Sequence, residues 1–422
     1  MIDKTLSALG HESEPTLKKC ALLIWTQYFW PENFQINQFA YALIRWGVPI
    51  SVLTGKPNYP KGRVYSGYNA FGCGKESHSG IDIYRIPILP RGSNSLWRLL
   101  FNYISFVISG YIFAPWILRA QKITTILVYA PSPITQALPA IFFCWIRRIR
   151  LILWVQDLWP EVLLSMGFCE HSLVFRLADW LVRFIYNHSA VILIQSEAFR
   201  SSVELRVKDA NKIIYFPNAS DFAQPKSSTS ESVHTELLTK ISSSFSVVFT
   251  GNIGFAQSCE TIVNAAEQLK YISDIIFYII GDGSQAVNIK QLIQLKGLSN
   301  VVMVDALPAM CMPNIYLASS ILLLTLRDQK AFAATIPSKL QSYMNAGKPI
   351  VASVNGVAAR CVEQSGAGIV CPPDNPTALA NSVLAIYNLR EEDRTTLGLK
   401  GKEYALRHFN LDERIAELIK ML

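Results

Sequence analysis

The sequence predicts two α/β lobes, each built on a doubly wound, mostly parallel sheet of the Rossmann type. The first observation is length, since 422 residues exceed one ordinary core and suit two domains of roughly 200 residues each. The second is order, because short apolar runs typical of buried strands alternate with segments of helical periodicity in both halves. The third is composition: 50% hydrophobic and 17% charged residues exclude a disordered chain.

The first lobe is predicted at residues 19–222, after a polar N-terminal extension at residues 1–18 that lacks the apolar core of a secretory signal. Its apolar run KCALLIW is followed by a helical pattern and then by the strand-like PISVLT, an order that implies a parallel pair with a right-handed crossover. Further strands of this lobe are predicted at residues 81–86, 125–129, 151–155, 190–194 and 213–216.

A polar stretch rich in Ser, Thr and Lys predicts a linker at residues 223–240. The second lobe follows at residues 241–405 and begins with the strand FSVVFT, and its further strands are predicted at residues 275–280, 301–304, 321–326 and 349–353. A C-terminal helix at residues 406–422 is expected to cross back onto the first lobe. A cleft between the carboxyl edges of the two sheets is then the expected ligand site, because ligands of open α/β sheets bind outside those strand ends.

The formal net charge of +8 suits a phosphate-rich substrate, an anionic membrane face or nucleic acid. The basic residues are scattered and form no block interleaved with aromatics, so no nucleic-acid partner is predicted. The eight cysteines show no CxxC spacing and the six histidines no ligand pattern. Buried free thiols and no metal site are therefore predicted.

Two apolar segments raise the question of membrane contact. Residues 99–118 are long enough for a membrane span, but Asn102 and the helix-breaking Pro115 interrupt them. Residues 141–149 (IFFCWIRRI) mix aromatic with basic side chains, which suits the lipid headgroup zone. We expect contact with a membrane surface. Two buried helices packed on the sheet, or a transmembrane segment, are the alternatives.

A glycine-rich turn follows the first strand of the second lobe and precedes a helix. The turn consists of Gly251, Asn252, Ile253 and Gly254. Glycines at such a position let backbone amides approach an anion, and a helix N-terminus attracts negative charge. The turn is therefore a candidate diphosphate site, although many strand–helix turns hold two glycines for steric reasons alone.

Two other segments of the second lobe are candidates for the same ligand. The first consists of Gly281, Asp282 and Gly283, which would line a nucleoside pocket or form a tight turn. The second consists of Pro337, Ser338 and Lys339, at the start of a predicted helix. The lysine offers charge and the serine a hydrogen bond, so this helix start could bind a diphosphate. The alternative is an ordinary solvent-exposed helix start.

In the first lobe, polar side chains follow the strands at the predicted ligand edge. They are Glu32, Asn33, Lys56, Tyr59, Gln156, Asp157 and Trp159. A carboxylate beside a tryptophan suits sugar binding, because Asp157 can accept hydroxyl hydrogen bonds while Trp159 stacks on a ring. Capping of a helix by Asp157 is the alternative reading. The loop with Lys56 and Tyr59 either shapes an acceptor side or merely turns the chain.

Six ordered segments resemble one group of enzymes. They are QYFWPENFQIN, LTGKPNYPKGRVYSGY, APSPITQALPA, VQDLWPE, FTGNIGFAQ and TIPSKLQSYMNAGKPI. Together they resemble the retaining glycosyltransferases of the GT-B superfamily, glycosyltransferase family 4-like, from about residue 19 to the C-terminus. Within that superfamily they look like the bacterial O-antigen L-fucosaminyltransferases of the WbuB type.

The resemblance implies a UDP-linked sugar donor on the second lobe, retention of the anomeric configuration, and no metal or other cofactor. It implies a lipid-linked saccharide acceptor at the inner face of the plasma membrane, and hence a cytoplasmic, peripheral enzyme. The glutamates of the superfamily's E-x₇-E motif are replaced by Ala334 and Ser342. The basic pair after the glycine-rich turn is also missing, since Phe255 and Gln257 follow instead, so Lys339 and Arg327 would supply the charge.

These implications assign roles to individual residues. Asp157, Glu32 and Lys339 are expected to be catalytic, Gln257 and Arg327 to join the donor site, and Asn33 and Gln156 the acceptor side. A UDP-sugar epimerase of the same architecture and a catalytically silent scaffold of a polysaccharide assembly complex are the alternatives.

Overall fold

The computed structural model describes residues 21–60, 62–92, 96–165, 167–219 and 232–422. Two compact units divide the chain: the first comprises Met1–Asn218 with Leu411–Leu422, and the second Ala219–Asn410. The predicted extension at residues 1–18 and the first half of the predicted linker, residues 223–231, lie outside the described residues. The end of the linker differs from the prediction, because residues up to 240 already belong to a helix at Ser232–Ser242.

The first unit is built on an eight-stranded sheet in the order β3-β4-β2-β1-β5-β6-β7-β8. Its strands are β1 Leu22–Trp25, β2 Ile50–Gly55, β3 Gly74–His78, β4 Ile81–Ile86, β5 Thr125–Ala130, β6 Arg150–Val155, β7 Val191–Ile194 and β8 Ile213–Tyr215. All neighbours pair in parallel except β3, which runs antiparallel to β4 at the edge. The central strands are apolar throughout because helices cover both faces of the sheet.

The helices of the first unit separate onto the two faces. They are α1 Gln35–Arg45, α2 Leu96–Ile117, α3 Ala137–Arg147, α4 Val162–Ser165, α5 Leu173–Asn187 and α6 Arg200–Glu204. Right-handed crossovers place α2, α3 and α5 on one face, where α3 packs against both others. Helix α1 lies on the opposite face.

The second unit is built on a six-stranded parallel sheet in the order β11-β10-β9-β12-β13-β14. Its strands are β9 Phe245–Thr250, β10 Ile275–Ile280, β11 Val301–Val304, β12 Ile321–Thr325, β13 Ile350–Ser353 and β14 Gly368–Cys371. Its helices are α7 Ser232–Ser242, α8 Cys259–Gln268, α9 Ala286–Leu295, α10 Met312–Ala318, α11 Lys330–Ala333, α12 Ser338–Ala346, α13 Val357–Ser365, α14 Pro376–Tyr387 and α15 Glu391–His408. Buried side chains from both faces of the sheet form two core clusters.

The last helix, α16 at Leu411–Met421, belongs to the first unit. It packs against α1, and Trp46 Nε1 donates to Asp412 Oδ1 at 2.8 Å. Its start differs from the predicted residue 406, because α15 continues through His408 and Asn410 ends the second unit.

Candidate functional site

The glycine-rich turn lies at the carboxyl end of β9, as the sequence predicts. Its first amide continues the ladder, since Gly251 N donates to Ile280 O at 2.8 Å. The amide of Ile253 donates to Asp282 O at 2.9 Å, and the Ile253 side chain is buried in the core. Gly254 N donates to the side chain of Gln257 at 3.2 Å. The side-chain amide of Asn252 donates to Gln257 Oε1 at 3.2 Å, whereas its backbone N–H has no acceptor within the described residues. This backbone N–H and, once Gln257 moves, that of Gly254 are available to a ligand.

The Gly281–Gly283 segment packs directly against this turn. A Cβ placed on Gly281 would lie 1.8 Å from the carbonyl oxygen of Gly251, and one on Gly283 would lie 2.4 Å from that of Ile253. The two glycines are therefore required by the close approach of two backbones. Asp282 is exposed and its Oδ1 accepts from Gly283 N at 2.7 Å. The segment supports the glycine-rich turn, and contact with a nucleoside remains a prediction.

Lys339 reaches the turn from the first turn of α12, whose N-cap is Pro337. Its Nζ lies 4.0 Å from the ring centroid of Phe249, on β9. A Cβ on Gly251, where φ is +108°, would lie 2.7 Å from Lys339 Cε and 3.1 Å from Nζ. Absence of a side chain at Gly251 thus makes room for the lysine.

The ammonium of Lys339 is an unneutralised cation. Burial lowers its pKa to about 8, because the charged form is poorly solvated beside the Phe249 ring. No carboxylate of the described residues forms an ion pair with it. An anion at the Gly251 turn would supply the missing counter-charge.

Arg327, which the sequence predicts as a cation of the donor site, is already paired with a carboxylate. Its guanidinium is paired with Glu260, its Nε donates to Phe255 O at 2.8 Å, and it stacks on the Phe255 ring at 4.1 Å. Its backbone N donates to Ala256 O at 2.9 Å. These contacts fix the segment after the glycine-rich turn, so Arg327 is a positioning residue and Lys339 is the cation that faces the turn. Ser338 is exposed at the start of α12 and stays a candidate donor ligand.

In the first unit, Glu32 is buried, with 1% of its surface exposed. One carboxylate oxygen accepts from the amides of Asn58 and Tyr59, both at 2.7 Å, and the other has no partner. Burial raises the pKa of Glu32 to about 7, against the effect of those amide hydrogen bonds. Direct contact with a sugar hydroxyl does not fit this burial. Glu32 instead positions the loop that contains Tyr59.

The other predicted acceptor-side residues near Glu32 have different surroundings. The ring centroids of Tyr59 and Phe34 lie 5.3 Å apart, and the guanidinium carbon of Arg91 lies 5.3 Å from the Tyr59 centroid. Lys56 is buried near Gly74, beside the edge strand, and burial lowers its pKa. Lys56 is therefore not brought together with Tyr59. Asn33 is exposed at the start of the α1 region, where an acceptor could reach it.

Asp157 and Trp159 come together at the carboxyl end of β6. Asp157 Oδ2 accepts from Ser132 N at 2.8 Å, and Trp159 Nε1 donates to Ser132 Oγ at 3.1 Å. The carboxylate is thus held by the loop after β5, and among the described residues it accepts from no helix N-terminal amide. Both side chains are half-buried, so each keeps a surface that a sugar can contact.

Gln156 is turned away from this pair. Its Oε1 accepts from Asn218 Nδ2 at 2.8 Å, and its backbone oxygen accepts from the Gln195 side chain. Asn218 Nδ2 also donates to Gln195 Oε1 at 2.9 Å. The three amides tie together the ends of β6, β7 and β8. An acceptor contact by the side chain of Gln156 does not fit, and Gln195 and Asn218 were not predicted.

A second amide network explains the polar residue inside the apolar helix α2. Asn102 is fully buried, and its Oδ1 accepts from Gln27 Nε2 at 2.7 Å while its Nδ2 donates to Leu89 O at 2.6 Å. Gln27 N in turn donates to Gln136 Oε1 at 2.9 Å. Asn102 therefore joins α2 to the loops at the carboxyl edge of the sheet.

Comparisons with known proteins agree with this fold. The family described as "Glycosyl transferase 4-like domain" matches residues 33–219, and "Glycosyl transferases group 1" matches residues 244–388. The chain is 23% identical to the colanic acid biosynthesis glycosyl transferase WcaI of Escherichia coli K12, over 94% of this chain and 98% of WcaI. It is also 23% identical to the glycosyltransferase WbjE of Pseudomonas aeruginosa, over 73% of this chain and 76% of WbjE.

Solved structures extend the likeness to nearly the whole chain. Anabaena HepE, solved with UDP and glucose, superposes with a TM-score of 0.69 at 16% identity and covers 96% of this chain and 100% of its own. The sucrose-phosphate synthase of Thermosynechococcus elongatus superposes with a TM-score of 0.70 at 16% identity and covers 95% of this chain and 97% of its own.

The fold is therefore GT-B, and the chain is a glycosyltransferase. More particularly, residues 33–219 match the glycosyl transferase 4-like domain and residues 244–388 match the glycosyl transferases group 1 family. The prediction of fold and enzyme class is confirmed. Assignment to the fucosaminyltransferases of the WbuB type stays a prediction.

Proposed function

We propose that the protein transfers a sugar from a UDP-sugar to a lipid-linked saccharide during the synthesis of a bacterial surface polysaccharide. One observation carries the donor half of the proposal: the Lys339 ammonium lies at the Gly251 turn, and no carboxylate of the described residues pairs with it. The name of WcaI refers to colanic acid biosynthesis and HepE was solved with UDP, which supports the choice of process and nucleotide. The sugar we propose is N-acetyl-L-fucosamine or a related amino sugar.

The chemistry follows from the charges at the turn. As the bond between sugar and diphosphate breaks, negative charge grows on the leaving oxygen. Lys339 and the backbone N–H of Asn252 stabilise that charge. Because both donors already face the turn, they need no rearrangement during the reaction. Asp157 accepts hydrogen bonds from sugar hydroxyls, and Glu32 holds the loop of Tyr59. We propose a retaining, metal-independent transfer in which the donor phosphate takes the acceptor proton.

The acceptor half of the proposal rests on the face formed by α2, α3 and α5. Large apolar side chains are exposed there: Trp97, Phe101, Ile108, Ile112, Trp116, Trp145, Ile146, Leu177 and Trp180. Residues 83–156 contain eight Lys or Arg residues and no Asp or Glu, so this segment alone has a charge equal to that of the whole chain. Helices α2 and α3 lie in this acid-free segment, and the one carboxylate of α5, Asp179, is paired with Arg183 and Arg206. An exposed apolar face with this charge fits an anionic membrane surface.

Helix α2 is better suited to lying on that surface than to crossing it. By length and composition, Trp97–Ile117 could span a membrane. However, its Asn102 is hydrogen-bonded to Gln27, and Gly110 packs so closely that a Cβ there would lie 2.7 Å from Pro139. Pulling α2 out of the unit would break these contacts. We therefore propose peripheral binding at the inner face of the plasma membrane.

A donor and acceptor screen tests the proposal. The protein is incubated with a panel of UDP-sugars and an extract of bacterial membrane lipids, and UDP release and the mass of the lipids are measured. We expect UDP release that depends on the lipid, together with a mass increase of one sugar residue. Release of a new UDP-sugar without acceptor would indicate an epimerase, and no release with any donor would indicate a scaffold.

Donor binding should weaken at high pH. Without ligand, Lys339 has a pKa of about 8, and a bound diphosphate raises this pKa. Above pH 8, binding of UDP is therefore coupled to protonation of the lysine. Between pH 7.5 and 9 the charged fraction falls, and the Kd for UDP should rise about eightfold, while the phosphates stay ionised. Calorimetric titration of UDP measures this. In Lys339→Arg, whose guanidinium stays protonated, the Kd should be flat, and a flat profile in the wild type would contradict the role of Lys339.

Removal of exposed aromatics should reduce membrane binding without loss of stability. Trp116 and Trp145 are 58% and 78% exposed, on α2 and α3. The double variant Trp116→Ser/Trp145→Ser should lower partitioning onto anionic vesicles on the order of a hundredfold, since each of the two buried aromatics contributes about 1.5 kcal/mol. Vesicle flotation is the measurement. The control is Tyr271→Ser, which removes a 74% exposed aromatic from the second unit. Equal partitioning of all three proteins would refute the docking face.

A further inference from the structure

A pocket opens at the amino edge of the first unit's sheet, opposite the edge that holds Asp157 and Glu32. Its volume is about 500 Å³, and it lies between the starts of β6 and β7. Arg148, Arg150 and His188 are among the residues that line it, together with Cys144 and Asn187. No Asp or Glu is among the lining residues. The pocket is therefore basic and separate from the candidate catalytic residues.

The cations of this pocket are open to a ligand. Arg148 is exposed and, within the part of the chain that the structure describes, forms no ion pair. Arg150 uses one nitrogen to donate to Met421 O at 2.8 Å, which leaves its remaining donors. His188 contacts Phe184 O through Nδ1 at 2.8 Å. Two guanidinium groups without a carboxylate suit a phosphate, which accepts bidentate hydrogen bonds from arginine.

The pocket adjoins the C-terminal ends of α3 and α5, two helices of the apolar face, because Cys144 of α3 and Asn187 of α5 line it. Each of these helices ends at the amino edge, because each precedes the start of a strand. Trp145 and Ile146 are exposed in the last turn of α3, directly before Arg148, and Phe184 is exposed in the last turn of α5, before His188. A phospholipid at the rim of this face would have its acyl chains beside the aromatics and its phosphate beside the arginines.

We propose that this pocket binds the phosphate of an anionic phospholipid headgroup. The inference rests on the membrane contact of the proposed function and adds a specific lipid site to it. Anchoring at the amino edge fixes the helix face flat on the bilayer. The opposite edge, with Asn102 and the loops of Gln27 and Glu32, then also lies next to the surface, where a lipid-linked acceptor is presented.

Two vesicle types of equal surface charge test the site. Both contain phosphatidylcholine with an anionic component, which is either about 30 mol % phosphatidylglycerol or enough oleate, whose carboxylate lacks a phosphate, to give the same zeta potential. The wild type should bind the phosphatidylglycerol vesicles about fivefold more tightly, as expected for about one specific Arg contact. In Arg148→Asn this preference should disappear. Asparagine suits the position, because Arg148 has φ +53°.

Arg119→Gln is the matched control, since Arg119 is exposed at the end of α2 but does not line the pocket. It should weaken binding to both vesicle types equally and keep the preference. If Arg148→Asn also weakened both equally, charge alone would explain binding and the site would be refuted. Thermal unfolding of each variant excludes misfolding. Failure of the proposed function is separate, since it would appear as unchanged flotation of the Trp116→Ser/Trp145→Ser variant.

Discussion

Replacement of Lys339 by methionine is expected to lower kcat by about 10²–10³-fold, the usual cost of removing one preorganised donor from a developing negative charge. Methionine keeps the apolar contact with Phe249 and fills the space that the lysine occupies beside Gly251, but it removes the ammonium. The Kd for UDP should rise as well, because the ground-state diphosphate already carries charge. Steady-state rates with the donor and acceptor of the screen, and UDP titration, are the measurements.

Stability distinguishes this loss from misfolding. The pKa of Lys339 is lowered in the folded state, so its charged form opposes folding below pH 8, and that penalty is relieved as the pH rises from about 8 toward the unfolded value. At pH 7 the methionine variant should therefore unfold at the same or a higher temperature, with a gain of about 1–2 kcal/mol. A matched control is Lys348→Met, since Lys348 is half-buried in the same unit and burial also lowers its pKa. A normal kcat in Lys339→Met would remove the lysine from the mechanism.

Burial explains which strands the sequence could predict. β5 and β6 are buried on both faces, so they are continuous apolar runs that are easy to find. β3 (GKESH) is an antiparallel edge strand with exposed and half-buried positions, and it contains no apolar run. β14 (GIVC) has four residues and directly precedes two prolines. Both were missed, because their pairing depends on a neighbouring strand.

The features of the candidate site also divide into those that a local sequence signal predicts and those that only the fold brings together. Gly251 and Lys339 were predictable because each follows a local signal, a glycine-rich turn or a helix start. The Gln27–Asn102 hydrogen bond joins residues 75 positions apart, and the ion pair of Arg327 with Glu260 spans 67 positions. Neither residue type is unusual where it stands, so only the fold brings the partners together. For the same reason the sequence predicts that Arg327 supplies charge to the donor site, whereas in the fold Glu260 neutralises it.

Replacement of Gly281 by alanine is expected to abolish measurable donor binding and to destabilise the second unit by about 3 kcal/mol or more, as a backbone clash at a strained position does. The new Cβ would lie 1.8 Å from Gly251 O, so either β10 or the glycine-rich turn must move. Movement of the turn breaks the hydrogen bonds of Gly251 N and Ile253 N to the β10 end. Denaturant unfolding and UDP titration measure the two effects.

Gly297→Ala separates this clash from the general cost of alanine at a glycine with positive φ. Gly297 has φ +60°, and a Cβ added there would meet nothing within 4 Å, so its replacement should cost only about 1 kcal/mol and leave UDP binding unchanged. If the two variants lost equal stability and Gly281→Ala still bound UDP, the close approach of the two turns would not matter for the site. The expected difference follows from one fact: the donor turn has its shape because a second backbone lies against it, and Gly281 is where they touch.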